Sequence, residues 1–102
     1  MDTTAPATIA VDRYVLETLM PDLVGHDRKP SAFLVYLFLW AATSAGEVTA
    51  EVSLARIAEG TGISKRAVQH AVALLVHREL LAVDRMSITA VARYTVLQPW
   101  RR

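Results

Sequence analysis

The sequence predicts an α+β fold in a single domain, and three observations carry that prediction. Apolar residues recur at helical spacing through most of the first half. Two short helical patterns joined by a tight turn occupy residues 53–78. Two segments near the end, Leu80–Arg85 and Arg93–Leu97, are rich in β-branched and aromatic residues, as strands are. With 102 residues, 53% of them apolar, the chain can bury one core but has no room for a second catalytic module. It has no cysteine, which excludes a disulfide framework and a thiolate zinc site.

Taken in order, residues 1–8 (MDTTAPAT) read as a flexible tail, and residues 9–102 form the domain. Val11, Tyr14, Val15, Leu19 and Met20 give a first helix, with Asp12 in its first turn. Pro21 is expected to end or kink it, because proline has no amide donor and disfavours a helical residue before it. Pro21–Gly25 then reads as one further turn closed by glycine, and His26–Lys29 as a charged loop. Pro30 suits the first turn of a helix over Ser31–Ser44 that closes at Gly46. From Phe33 to Trp40 this helix is apolar all round, so it must be covered on more than one side. A face left uncovered would point to a partner subunit. Glu47–Val52 alternates polar and apolar like a short strand. Ser53 then caps a helix from Leu54 to about Gly60, and Ser64 caps another that runs to about Arg78. Met86–Ala92, between the two last strands, carries no clear pattern.

The apolar run Ala32–Ala42 falls short of the ~20 residues needed to cross a bilayer. Its basic lead-in, Arg28-Lys29, lies far from the N-terminus, so no signal peptide is expected. A soluble, cytoplasmic and nucleoid-associated protein is the expectation. Charge is unevenly distributed. Residues 1–52 carry three basic and seven acidic residues, a net −4, whereas residues 53–102 carry eight basic and three acidic, a net +5. A basic half joined to an acidic half points the second half at a polyanion.

The informative stretch is SLARIAEGTGISKRAVQHAVALLVHRELL, from Ser53 to Leu81. Leu54, Ile57 and Ala58 share one face of the first helix, and Ala58 is small where two helices cross. Gly62 sits where a tight turn needs a positive φ, and Ile63 buries that turn. Val68, Ala71, Val72 and Leu75 recur at i, i+3, i+4 and i+7 as the inner face of the second helix. Arg66, His70, Ala73 and His77 then lie opposite, with Gln69 on the flank and Lys65 at the first helical position. An exposed helix that opens Ser-Lys-Arg and continues Gln-His suits a polyanion whose base edges are read, and a helix N-terminus itself favours phosphate. Ala73 keeps the centre of this surface low enough to approach a groove.

On these residues the segment resembles the winged helix-turn-helix regulators, in particular their GntR-like DNA-binding modules. The resemblance rests on Leu54, Ile57, Ala58, Gly62, Ile63, Ser64, Val68, Ala71, Val72, Leu75 and Leu80-Leu81. It implies an α+β winged helix-turn-helix with an additional N-terminal helix, the helix-turn-helix at 53–78 and the wing at 80–97. It implies that the Ser64 helix enters the major groove of double-stranded DNA and that the wing touches the adjacent backbone. The contacting residues would be Ser64, Lys65, Arg66, Gln69, His70 and Ala73, with Arg85 and Arg93 from the wing. Members of this type often carry a glycine where Glu79 stands and another at the wing tip. They also carry a separate effector domain for which 102 residues leave no room, so no small-molecule ligand or cofactor is expected.

The resulting expectation is a sequence-specific transcriptional repressor or autoregulator, homodimeric through its N-terminal half. A plasmid or phage replication or partition factor is the alternative within DNA binding. A protein-docking module is the alternative from another class. His70 and His77 share a face but lack a third metal ligand, and His77 complements the helix dipole. No catalytic carboxylate pair, phosphate-binding glycine loop or nucleophile elbow is present, so no enzyme is expected. Trp100 is expected to pack on the apolar helix, leaving Arg101 and Arg102 on the surface.

Overall fold

The apolar helix is the axis around which the other elements are arranged. In the computed structural model, which describes residues 7–43, 49–85 and 91–101, this helix is α1, Pro30–Thr43. Pro30 opens it, where a missing N–H costs nothing. Ala32, Phe33, Val35, Tyr36, Leu39 and Trp40 are buried. α1 packs against an N-terminal helical segment, α2 (Leu54–Thr61), α3 (Lys65–His77) and the sheet. The chain thus covers α1 with its own elements, and only Leu34 among its large apolar residues is exposed. The expected closure at Ser44 and Gly46 lies outside the described residues.

The N-terminal segment differs from expectation at Pro21. It passes through that residue as two π-helical stretches, Val15–Leu19 and Pro21–His26, joined at Met20 in right-handed helical geometry. The Met20 N–H bonds the Val15 carbonyl and the Asp27 N–H bonds the Asp22 carbonyl, both five residues back. The wider turn makes room for the proline ring, which in an α-helix would clash with the carbonyl four residues earlier. Gly25 does not close a turn; it lies inside the second stretch, and the left-handed residue after the helix is Arg28, with φ 54°. Burial follows the wider turn. Val15, Leu19 and Leu23 are buried in the core at intervals of four, while Leu16, Met20 and Val24, each one residue on, are exposed.

β1 (Thr49–Ser53), β2 (Leu81–Asp84) and β3 (Val91–Val96) form an antiparallel sheet in the order β1-β3-β2. The residues expected to start the first strand, Glu47 and Val48, lie outside the described residues, as do residues 86–90 between β2 and β3. Ala92, Tyr94 and Leu81 point into the core with Ala50. On the other face, which also exposes Val91, Arg93 stands between Glu51 of β1 and Asp84 of β2.

The C-terminal residues fold back over α1 and the start of the chain. The Tyr36 hydroxyl donates to the Leu97 carbonyl at 2.9 Å, and the Trp40 indole to the Ala10 carbonyl at 2.9 Å. Trp100 stacks between Tyr14 and Trp40 (centroids 4.5 and 6.3 Å) and donates to Asp12 at 2.8 Å. This is the packing expected of Trp100. Arg101 binds the same Asp12 carboxylate, Nε to Oδ2 at 2.7 Å, and lies over the Trp40 ring. With two donors holding its charged form, Asp12 has a pKa lowered to about 2. Among the described residues no helix is long and apolar enough to cross a membrane.

Candidate nucleic-acid interface

The candidate site is built on two helices whose ends are fixed by their own residues. Ser53 precedes α2 in extended geometry and its hydroxyl accepts the Arg56 N–H at 3.1 Å, one of the amides that a helix start leaves unpaired. Ser64 does the same for α3, accepting the Ala67 N–H at 3.1 Å. Between the helices Gly62 has φ 82° and donates its N–H to the Ala58 carbonyl at 2.8 Å. A residue with a Cβ would be strained in that geometry. Thr61 closes α2 from the side, its hydroxyl donating to the Ile57 carbonyl at 2.7 Å. Ile63, half-buried, packs the turn against the core.

Val68, Ala71, Val72 and Leu75 turn one face of α3 into the core. The remaining face carries Lys65, Arg66, Gln69, His70, Ala73 and His77, all exposed. Val76, 43% exposed, is an apolar residue on the same side, which the helical period alone does not single out. Ala58 is packed against the core, and Gly60 makes a further close approach, since a Cβ there would overlap the Phe38 ring and crowd the Arg56 guanidinium. Arg56 itself lies over Phe38, 5.4 Å from the ring centroid.

The end of α3 is locked to the N-terminal segment. Arg78 binds Asp27 and reaches Asp22 at 3.1 Å. His26 also bonds Asp27 at 3.0 Å, and this bond, with the Arg78 charge, holds the Asp27 carboxyl below its usual range. Glu79 follows in left-handed geometry, with φ 58°. The Leu80 N–H returns to the Leu75 carbonyl at 2.9 Å and the Glu79 N–H to Val76 at 3.0 Å, the bond pair of a Schellman turn.

Ion pairing sorts the cations. Arg13 binds Glu17, Arg78 binds Asp22 and Asp27, Arg93 binds Glu51 at 3.0 Å, and Arg101 binds Asp12. Three cations of the basic half are therefore neutralised by acids of the acidic half, and the charge asymmetry of the sequence largely cancels inside the fold. Among the described residues Lys65, Arg66, Arg85, Arg56, Arg28 and Lys29 have no ion-pair partner, and of these Arg56 lies over the Phe38 ring. Arg85, exposed at the end of β2, faces Tyr94 closely enough to offset part of the rise that burial causes in that phenol's pKa. Arg93 stands apart from the other candidate contacts, because its charge is already answered on the outer face of the sheet. Gln69 and His70 make no side-chain hydrogen bond to the described residues and are open to a ligand. No group of three His, Cys, Asp or Glu among the described residues could hold a metal ion. Arg102 lies outside the described residues.

Comparison with protein-family models, with curated proteins and with solved structures finds no match.

Proposed function

We propose that this chain is a winged helix-turn-helix protein that binds double-stranded DNA sequence-specifically, as a transcriptional repressor or autoregulator. The observation that carries the reading is the outer face of α3. It is exposed along its length, opens with two cations that have no ion pair among the described residues, and continues into Gln69 and His70, whose polar heads have no partner among those residues. Elsewhere the fold pairs most of its arginines with acids. A helix that keeps charge and hydrogen-bonding capacity unsatisfied on one face, while its other face is fixed in the core, suits the major groove. β2 and β3 would be the wing, with Arg85 on the flanking phosphates and Ser64 at the helix start.

The reading includes a homodimer, since one recognition helix reads only a few base pairs and two-fold dimers double the site. The exposed stripe Leu16, Met20 and Val24 on the N-terminal segment supports it better than α1, which the chain covers itself. Selection of purified protein against random duplex oligonucleotides, followed by anisotropy titration, tests DNA binding. Light scattering tests the dimer: a mass of 11.2 kDa at tens of micromolar would count against it. If no duplex binds even at low salt, the protein-docking reading replaces this one, and the exposed Val76 on α3 favours that reading.

A further inference from the structure

The loop that precedes α1 holds two further cations that have no ion pair among the described residues, Arg28 and Lys29, and four features of it point the same way. The acids nearest in sequence, Asp22 and Asp27, are turned onto Arg78, so no carboxylate of the loop answers the two charges. The backbone around them is fixed: the Lys29 N–H donates to the Leu23 carbonyl at 2.8 Å, and the Lys29 carbonyl accepts the Ala32 N–H at 3.0 Å. Arg28 is exposed and has φ 54°, a geometry that glycine adopts freely and an arginine does not. A loop that needed only to turn would be better served by glycine; this one holds a guanidinium in strained backbone, and strain of that kind collects at binding sites. Finally, Arg78 caps α3, so its pairing with Asp27 puts the loop at the end of α3 opposite Lys65 and Arg66. The helix between them has 13 residues, a separation of about 20 Å.

We infer that Arg28 and Lys29 form a second phosphate-binding site, which grips the DNA backbone beyond the far end of α3 while Lys65 and Arg66 grip it at the near end. The inference rests on the DNA-binding reading above. A guanidinium and an ammonium on a fixed loop are phosphate ligands that carry no sequence information. They add affinity and register, and base reading stays with α3. Asp22, Asp27 and Arg78 position the loop without touching the ligand.

The test uses the full chain, a selected duplex and a random duplex, with anisotropy titrations between about 50 and 200 mM salt. Arg28→Ala with Lys29→Ala should make the slope of log affinity against log salt shallower by about two units, and should weaken both duplexes by the same factor. Arg28→Gly separates binding from folding. It should raise the thermal midpoint, because glycine relieves the left-handed φ, and still make the salt slope shallower by about one unit. If the variants fold and keep the parent's slope and affinity, the loop is not a phosphate site, and the DNA reading survives. If the parent binds neither duplex at about 50 mM salt, the DNA reading fails and the inference falls with it.

Discussion

Asp27 and Arg78 each cap the C-terminal end of a helix, and they bind each other across 51 residues of sequence. Each is followed by a left-handed residue, Arg28 after Asp27 and Glu79 after Arg78. The ion pair therefore fastens two chain reversals together at the point where the N-terminal segment meets the last turn of α3. Asp27 is largely shielded, with its side chain 13% exposed, so the pair is more than a solvated surface contact.

Arg78→Ala should lower stability by about 1–3 kcal/mol, since it leaves the Asp27 carboxylate shielded and without its main countercharge. Urea melts of parent and variant measure this directly. A difference of only a few tenths would place the pair among ordinary surface contacts.

Asp12 gives a pH dependence with a definite sign. Its pKa falls from an ordinary 3.8 to about 2 through its bonds to Arg101 and Trp100. A lowered folded-state pKa contributes stability that is present above the ordinary value and is lost as pH falls towards 2. Acid titration should therefore release Trp100 from Asp12 between about pH 4 and pH 2, visible in tryptophan fluorescence. Asp12→Asn should abolish that step, and an unchanged titration would dissociate the clasp from Asp12.

Lys65→Ala with Arg66→Ala should weaken selected and random duplexes alike and make the salt slope shallower by about two units, with the circular dichroism of the fold unchanged. Parent-like affinity in the double variant would mean that α3 does not meet the backbone in this orientation.

Gln69→Ala should behave differently. An amide head suits the N6 and N7 edge of adenine, so the loss should be about 1–3 kcal/mol on the selected site and small on random DNA. Equal losses on both would make Gln69 a backbone contact instead.

Glu79→Gly should stabilise the fold by about 1 kcal/mol, the balance of a relieved left-handed φ against glycine's greater chain entropy. It removes a negative charge near the end of α3, so DNA affinity should hold or rise. This is the opposite of what Arg28→Gly should do to affinity, although both changes relieve the same backbone geometry. A drop in the thermal midpoint would show that the Glu79 side chain contributes a contact larger than the strain.

The parts of this fold that could be read in the sequence are those fixed by near neighbours. Ser53 and Ser64 cap helices because a hydroxyl reaches an amide three residues on, and Gly62 takes a φ that its composition alone permits. The inner and outer faces of α3 follow from a period of 3.6. Pro21 does not end the helix, because the rule for proline presumes α-helical spacing and this segment widens instead. Which cations are taken up by acids could not be read locally. Whether Arg93, Arg78 or Arg101 is available depends on partners 42, 51 or 89 residues away, and local pattern contains no trace of those distances. Arg28 was hidden in the same way, as one charge in an unremarkable loop.

The clasp of Trp100 and Arg101 on Asp12 has a bearing on connectivity. Residues 10–12 and 97–101 lie side by side, joined through Trp40 and Tyr36 to the centre of α1. The backbone thus traces a nearly closed circuit, and the order in which its elements are strung matters less than their neighbours in space. A circular permutant that joins these two stretches by a short linker and opens the circuit within residues 86–90 should regain the same sheet order, β1-β3-β2, with α3 still presented outward.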